Sequence, residues 1–124
     1  MILAGVVWAQ PRLAVDRDVA NMGEIMFQLP SKVNFTLRNT GTDPLSITEV
    51  IPSCGCTAVD WTHELIAPGA EGTITAIYDA KMLGVFQKDL GVYTNASDEP
   101  VYLHIQGRVV SKLSDYSGSF PIDL

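Results

Sequence analysis

Apolar and polar residues alternate from Lys32 to Arg38, with Val33, Phe35 and Leu37 on one side and Lys32, Asn34, Thr36 and Arg38 on the other. A period of two predicts a half-buried strand, because successive side chains leave a strand on opposite faces. The signature recurs. Leu45 to Ile51 and the short Thr57 to Trp61 read as strands, and Thr73 to Asp79 places Ile74, Ala76 and Tyr78 on one face. Phe86, Leu90 and Val92 share a face of the segment from Phe86 to Thr94, although Lys88 interrupts it. From Val101 to Val110, the residues Val101, Leu103, Ile105 and Val109 point inward and Tyr102, His104, Gln106 and Arg108 outward. Leu13 to Val15 adds a short strand.

Between these segments sit residues that bend a chain. Asn39-Thr40-Gly41-Thr42-Asp43-Pro44 collects side chains that tolerate left-handed or fixed φ, and Pro68-Gly69 is the order preferred at the centre of a type II turn. Gly84 breaks the chain, and Asn95 to Pro100 is a polar loop. Helical periodicity is nearly absent. About seven short strands at this spacing predict an all-β domain, a sandwich or a small barrel, and alternation alone leaves open which edges pair. With 124 residues, 47% of them apolar, the chain holds one core, placed over residues 10–110. Residues 111–124 show no clear period and read as a tail, a linker or the stub of a further domain.

The first nine residues, Met1-Ile2-Leu3-Ala4-Gly5-Val6-Val7-Trp8-Ala9, form an apolar run that stops abruptly and carries small side chains at Val7 and Ala9. This matches the end of a secretory signal cleaved after Ala9, and the missing basic n-region suggests that Met1 lies inside a longer signal; a first β-strand is the alternative. No apolar run reaches the ~20 residues that a membrane-crossing helix requires. No cysteine near the N-terminus invites a lipid anchor. The formal net charge is −6, and the eight basic residues are scattered from Arg12 to Lys112. Nucleic-acid binding, which depends on a basic patch releasing phosphate counterions, is therefore disfavoured.

The turns and their spacing are distinctive. Phe35-Thr36-Leu37-Arg38-Asn39-Thr40-Gly41, Pro44-Leu45, Ser53-Cys54-Gly55-Cys56-Thr57, Pro68-Gly69, Tyr78-Asp79, Gly84-Val85-Phe86 and Thr94-Asn95 together resemble the bacterial domain of unknown function 1573, from about Asp16 to Val110. The Asn-Thr-Gly turn is shared with immunoglobulin-like modules of the Hydin and major-sperm-protein type, whereas Ser-Cys-Gly-Cys-Thr is the specific element. The resemblance implies an antiparallel immunoglobulin-like β-sandwich in secreted or periplasmic proteins, often of Bacteroidetes-like bacteria, with no established activity. The segment Gly23-Glu24-Ile25 runs into Met26-Phe27-Gln28-Leu29-Pro30-Ser31 where the family commonly has a polar, glycine-containing turn, so pairing of the first strands is the part least specified.

Cys54-Gly55-Cys56 is the one chemically pointed feature. The leading reading is a buried pair or a disulfide that pins the loop, since cysteine is readily buried and an even count suits an oxidising compartment. A second is a soft-metal site, two thiolates holding copper or zinc with further donors from His63, His104, Met22, Met26 or Met82, none of them at a diagnostic spacing. A redox-active dithiol is the third; it lacks a flanking helix N-terminus or basic cluster to lower a thiol pKa. No catalytic constellation emerges. His63 and Glu64 are adjacent and so lack a fixed mutual geometry, and Asp16, Asp18 and Asp43 lack the glycine and terminal glutamate of a calcium loop. Trp61 reads as a core anchor. The chain is thus expected to be a non-enzymatic binding or structural module of the cell envelope whose exposed sheet edges and loops contact an unknown protein partner, edges being natural sites of strand addition, with metal handling or thiol redox chemistry at Cys54 and Cys56 as the alternative.

Overall fold

The computed structural model describes residues 10–111. The signal-like run 1–9, including Trp8, and residues 112–124 of the tail lie outside the described residues. Eight strands follow in order: β1 (Leu13–Val15), β2 (Val19–Met26), β3 (Ser31–Asn39), β4 (Ile47–Pro52), β5 (Thr57–Trp61), β6 (Glu71–Tyr78), β7 (Gly84–Thr94) and β8 (Val101–Val110). They form two four-stranded sheets, a first ordered β1-β3-β6-β5 and a second ordered β2-β8-β7-β4.

The inward faces are those set by the alternation. Phe35, Leu37, Ile74, Ala76 and Tyr78 of the first sheet meet Phe86, Leu90, Val92, Leu103, Ile105 and Val109 of the second, all buried in one cluster. Fully burying a side chain of the Leu, Ile or Phe class stabilises by roughly 1.5–3 kcal/mol, so this cluster is the main source of stability. Tyr78 stacks on Phe86 with ring centroids 4.3 Å apart. Burial, and secondarily the adjacent Asp79 charge, holds the Tyr78 phenol above its ordinary pKa of 10.0.

Two strands depart from the sequence pattern, and in both a bulge is the reason. β2, for which the alternation gives no strand, runs parallel to β8 with a register shift between Asn21 and Glu24. Gly23 there has φ +67°, a conformation open to glycine, and its amide is held by Asn21 Oδ1 at 2.9 Å. The shift moves the inward face from even residues, such as Ala20, to odd ones, such as Ile25, which erases the period. Among the described residues the count is therefore eight strands, with one parallel pair in an otherwise antiparallel sandwich. In β4 a shift between Ile47 and Glu49 spaces the buried Ile47 and Val50 three apart. Leu45, expected to open that strand, instead bridges Ile66.

Candidate functional site

After Pro52 the chain leaves the second sheet and crosses to begin β5 in the first. Cys54-Gly55-Cys56 makes that crossing. A disulfide joins Cys54 to Cys56, with the Cα atoms 5.3 Å apart. The turn is tied to both sheets. On one side the Asp79 amide donates to the Cys56 carbonyl (2.9 Å). On the other, the Ser53 amide donates to the Asp89 carbonyl (2.8 Å) and the Asp89 amide donates to Ser53 Oγ (3.0 Å). Cys56 packs, partly buried, against the core. Bonded to each other, the two sulfurs are not thiolates, the form that binds soft metals or attacks. Among the described residues, no three His, Cys, Asp or Glu side chains gather into a metal-holding group.

The other candidate donors are dispersed over the surface. His104 lies on the outward face of β8, its Nδ1 hydrogen-bonded to Asp89 Oδ1 at 2.7 Å. The Ser53 hydroxyl is occupied by the Asp89 amide. His63 pairs with Asp60 at 3.3 Å and lies against Trp61, with ring centroids 4.9 Å apart. Glu64 is exposed, Met22 and Met26 are half-buried on β2, and Met82 is exposed in the β6–β7 loop. Trp61 is half-buried against the core. Asp16 serves as a backbone cap, its Oδ1 accepting from the Thr36 and Arg17 amides at 3.1 and 2.9 Å.

The loops fall into two ends of unlike chemistry. At the end where β3 stops and β4 begins, Asn39 is fully buried, and its Nδ2 donates to the carbonyls of Asp43 (2.7 Å) and Ile66 (2.9 Å) while its Oδ1 accepts the Gly41 amide (2.9 Å). Asn95 repeats the device, accepting the Ser46 amide and donating to the Pro44 carbonyl. At the opposite end, Phe27, Leu29, Met82, Leu83 and Val85 are 36–76% exposed. Their two loops are joined by a bond from the Gln28 amide to the Ala80 carbonyl (2.8 Å), and the Phe27 amide donates to the Val110 carbonyl. Gln28 and Ala80, with φ of 66° and 57°, are the non-glycine residues in the left-handed region among the described residues.

The architecture has known counterparts. Residues 13–109 match the model of a family described as a protein of unknown function, DUF1573. The chain belongs to this family. A Porphyromonas gingivalis protein of unknown function superposes with a TM-score of 0.71 at 16% identity, covering 84% of this chain and 50% of that one. The PapD-like domain of human CEP192 gives 0.65 at 10% identity, covering 91% and 95%. The VesB protease of Vibrio cholerae gives 0.62 at 19% identity, covering 78% and 31%. These likenesses carry the fold, which is immunoglobulin-like. The DUF1573 chain spans about half the length of the Porphyromonas gingivalis protein. None of the curated proteins matches this chain.

Sequence reasoning missed two parts of the DUF1573 domain. Asn39 reads as a turn residue, yet it ends β3 inside the core; its signal was a polar residue in register with inward-facing Phe35 and Leu37. The apolar end was not recognised either. Met82-Leu83 and Phe27-x-Leu29 are short apolar runs lying outside any alternating segment, and that is the trace they leave.

Proposed function

We propose that this DUF1573 domain is a non-enzymatic interaction module of exported bacterial proteins, and that it docks a protein partner through its apolar end. The observation that carries the reading is the group Phe27, Leu29, Met82, Leu83 and Val85, held exposed on adjoining segments. Leaving apolar side chains in water costs free energy that a partner's contact would recover, and such patches mark contact sites. Two left-handed residues at the base of the same loops support it, since backbone strain collects where function requires a particular shape. Export is supported by the signal-like run ending at Ala9 and by cysteines paired as an oxidising compartment favours. A further neighbour in fold, at 12% identity, is a secreted serine protease of Vibrio cholerae.

The test is a photo-crosslinking residue placed at Leu83 of the full chain in the producing bacterium, with the same residue at Leu65, 67% exposed at the opposite end, as control. A discrete adduct from Leu83 and none from Leu65 is expected, recovered with the periplasmic or surface fraction. Equal adducts from both positions, or none from either, would refute docking at this end. Recovery in the cytoplasmic fraction would refute export.

A further inference from the structure

We infer that the first half of β7 is an open sheet edge that accepts an extended peptide from a partner protein, one that alternates apolar residues and carries a carboxylate. The inference rests on the interaction-module reading and names the chemistry of its partner. β7 runs from Gly84 to Thr94, but β4 covers only its later half, pairing from Ile47↔Thr94 to Pro52↔Leu90. Ser53 reaches Asp89, and then the disulfide-closed turn takes the chain across to the first sheet.

The direction of the backbone groups follows from register. β7 and β8 pair without a shift from Gly84↔Val109 to Val92↔Val101. The amide and carbonyl of Asp89 both point to the β4 side, where Ser53 takes them. In an unbroken strand, residues two apart point the same way. The amides and carbonyls of Val85 and Gln87 therefore face the space β4 has vacated, and among the described residues nothing bonds to them there. Val85 is 76% exposed beside Leu83 at 59%.

The first sheet shows how this chain closes an edge it does not use. β1 covers β3 only from Leu37 to Asn39. Beyond it, Asp16 Oδ1 accepts the Thr36 amide, the Asp16 amide donates to the Thr36 carbonyl, and Arg17 donates to the Asn34 carbonyl at 2.6 Å. No such plug stands beside Val85 and Gln87. Charged plugs of this kind are a standard guard against strand addition, and their omission leaves a template for it.

The charge preference comes from Lys88, within the edge strand itself, and Lys81, in the loop that leads into it. Among the described residues neither has a carboxylate within ion-pair distance, while Asp89, on the outer face, is engaged by His104. A carboxylate on the incoming strand meets unpaired positive charge. Its alternate apolar side chains would lie beside Val85, adding cross-strand contacts.

The experiment selects a displayed library of random ten-residue peptides on the full chain and, in parallel, on Gln87→Pro. Proline removes the outward amide without touching a bond made in the free domain, so the variant keeps its fold and its unfolding midpoint. Enrichment on the parent alone is expected, of peptides that alternate apolar residues and contain Asp or Glu, with at least tenfold weaker binding to Gln87→Pro and to Lys88→Glu. Amide hydrogen exchange on the enriched complex should then slow at Val85 and Gln87, which exchange fast in the free chain while Phe86 and Lys88 are already slow. Equal enrichment on both chains, or slow Val85 and Gln87 amides without peptide, would overturn strand addition. If peptides select for Leu29 or Leu83 and leave those two amides fast, strand addition falls while the interaction module stands; an absent Leu83 crosslink removes the module itself.

Discussion

The two ends of this sandwich are built by opposite rules. At one, asparagines reach into the loops and use their amide and carbonyl groups to tie backbone that would otherwise be unsatisfied: Asn39 from the core, Asn95 from the surface. The left-handed position there is Gly69, φ 82°, where a missing Cβ makes the conformation free of strain. At the other end, loops are joined by few backbone bonds, Gln28 and Ala80 occupy left-handed positions without being glycine, and large apolar side chains face water. One end uses its polar side chains to satisfy its own loop backbone. The other holds left-handed non-glycine backbone and unburied apolar surface, the pair of features on which the proposed docking rests.

Breaking the tied end should produce the largest effect. Asn39→Ala removes two donors and one acceptor from a fully buried position and leaves the Asp43 and Ile66 carbonyls short of a partner. Buried groups stripped of partners cost about 1–3 kcal/mol each, partly relieved by relaxation, so a loss of about 3 kcal/mol is expected in urea unfolding. A loss under about 1 kcal/mol would show that the clamp is decorative. Gly41→Ala should cost somewhat less, about 2 kcal/mol, because an added Cβ would sit 2.6 Å from the Arg12 amide nitrogen and 2.8 Å from the Pro11 carbonyl carbon, both backbone atoms that must shift.

The Cys-Gly-Cys turn belongs to the apolar end and should matter less to stability. Closing so short a loop removes little entropy from the unfolded chain, so replacing both Cys54 and Cys56 by Ser is expected to cost about 1.6 kcal/mol at most. The bonds through Ser53, Asp79 and Asp89 remain to keep the chain off the β7 edge. Amide exchange at Val85 and Gln87 in the double variant should stay fast; a slowed pair would mean that the disulfide alone holds the edge open.

How much of this the sequence carried differs between the ends for a physical reason. Strands β3, β6 and β8 were legible because one face is buried without interruption, so that Phe35, Ile74 and Ile105 keep a strict period. β2 was illegible because the bulge at Gly23 exchanges its faces midway. The asparagine clamp left only a polar residue in an inward register, a signal that a turn also produces. The apolar end left even less. Exposed Leu and Met have no periodicity to betray them, since nothing in the chain itself fixes which way they point. Cys54 and Cys56 alone permit a buried or bonded pair, a soft-metal site or a redox dithiol; the structure joins them at the crossing between the sheets, a position that alternation along the chain does not reveal.

The smallest expected effect is also the one that separates strain with a purpose from strain without it. Gln28 sits at φ 66° with its amide bonded to Ala80, and its side chain is exposed. Gln28→Gly removes the Cβ that makes this conformation unfavourable, a gain of about 1 kcal/mol, and gives part of it back through the greater freedom of glycine in the unfolded chain. A net stabilisation of about 0.5 kcal/mol is expected in urea unfolding. If the left-handed residue only shapes a loop, the variant is simply a better-folded protein and the Leu83 crosslink is unchanged. If this end docks a partner, a freer Gln28 position loosens the loop that carries exposed Phe27 and Leu29 and is bonded to Ala80, so the adduct should weaken as stability rises. Opposite signs for stability and binding at one exposed residue are the signature of an end kept strained for contact, and no change in packing at the tied end can mimic it.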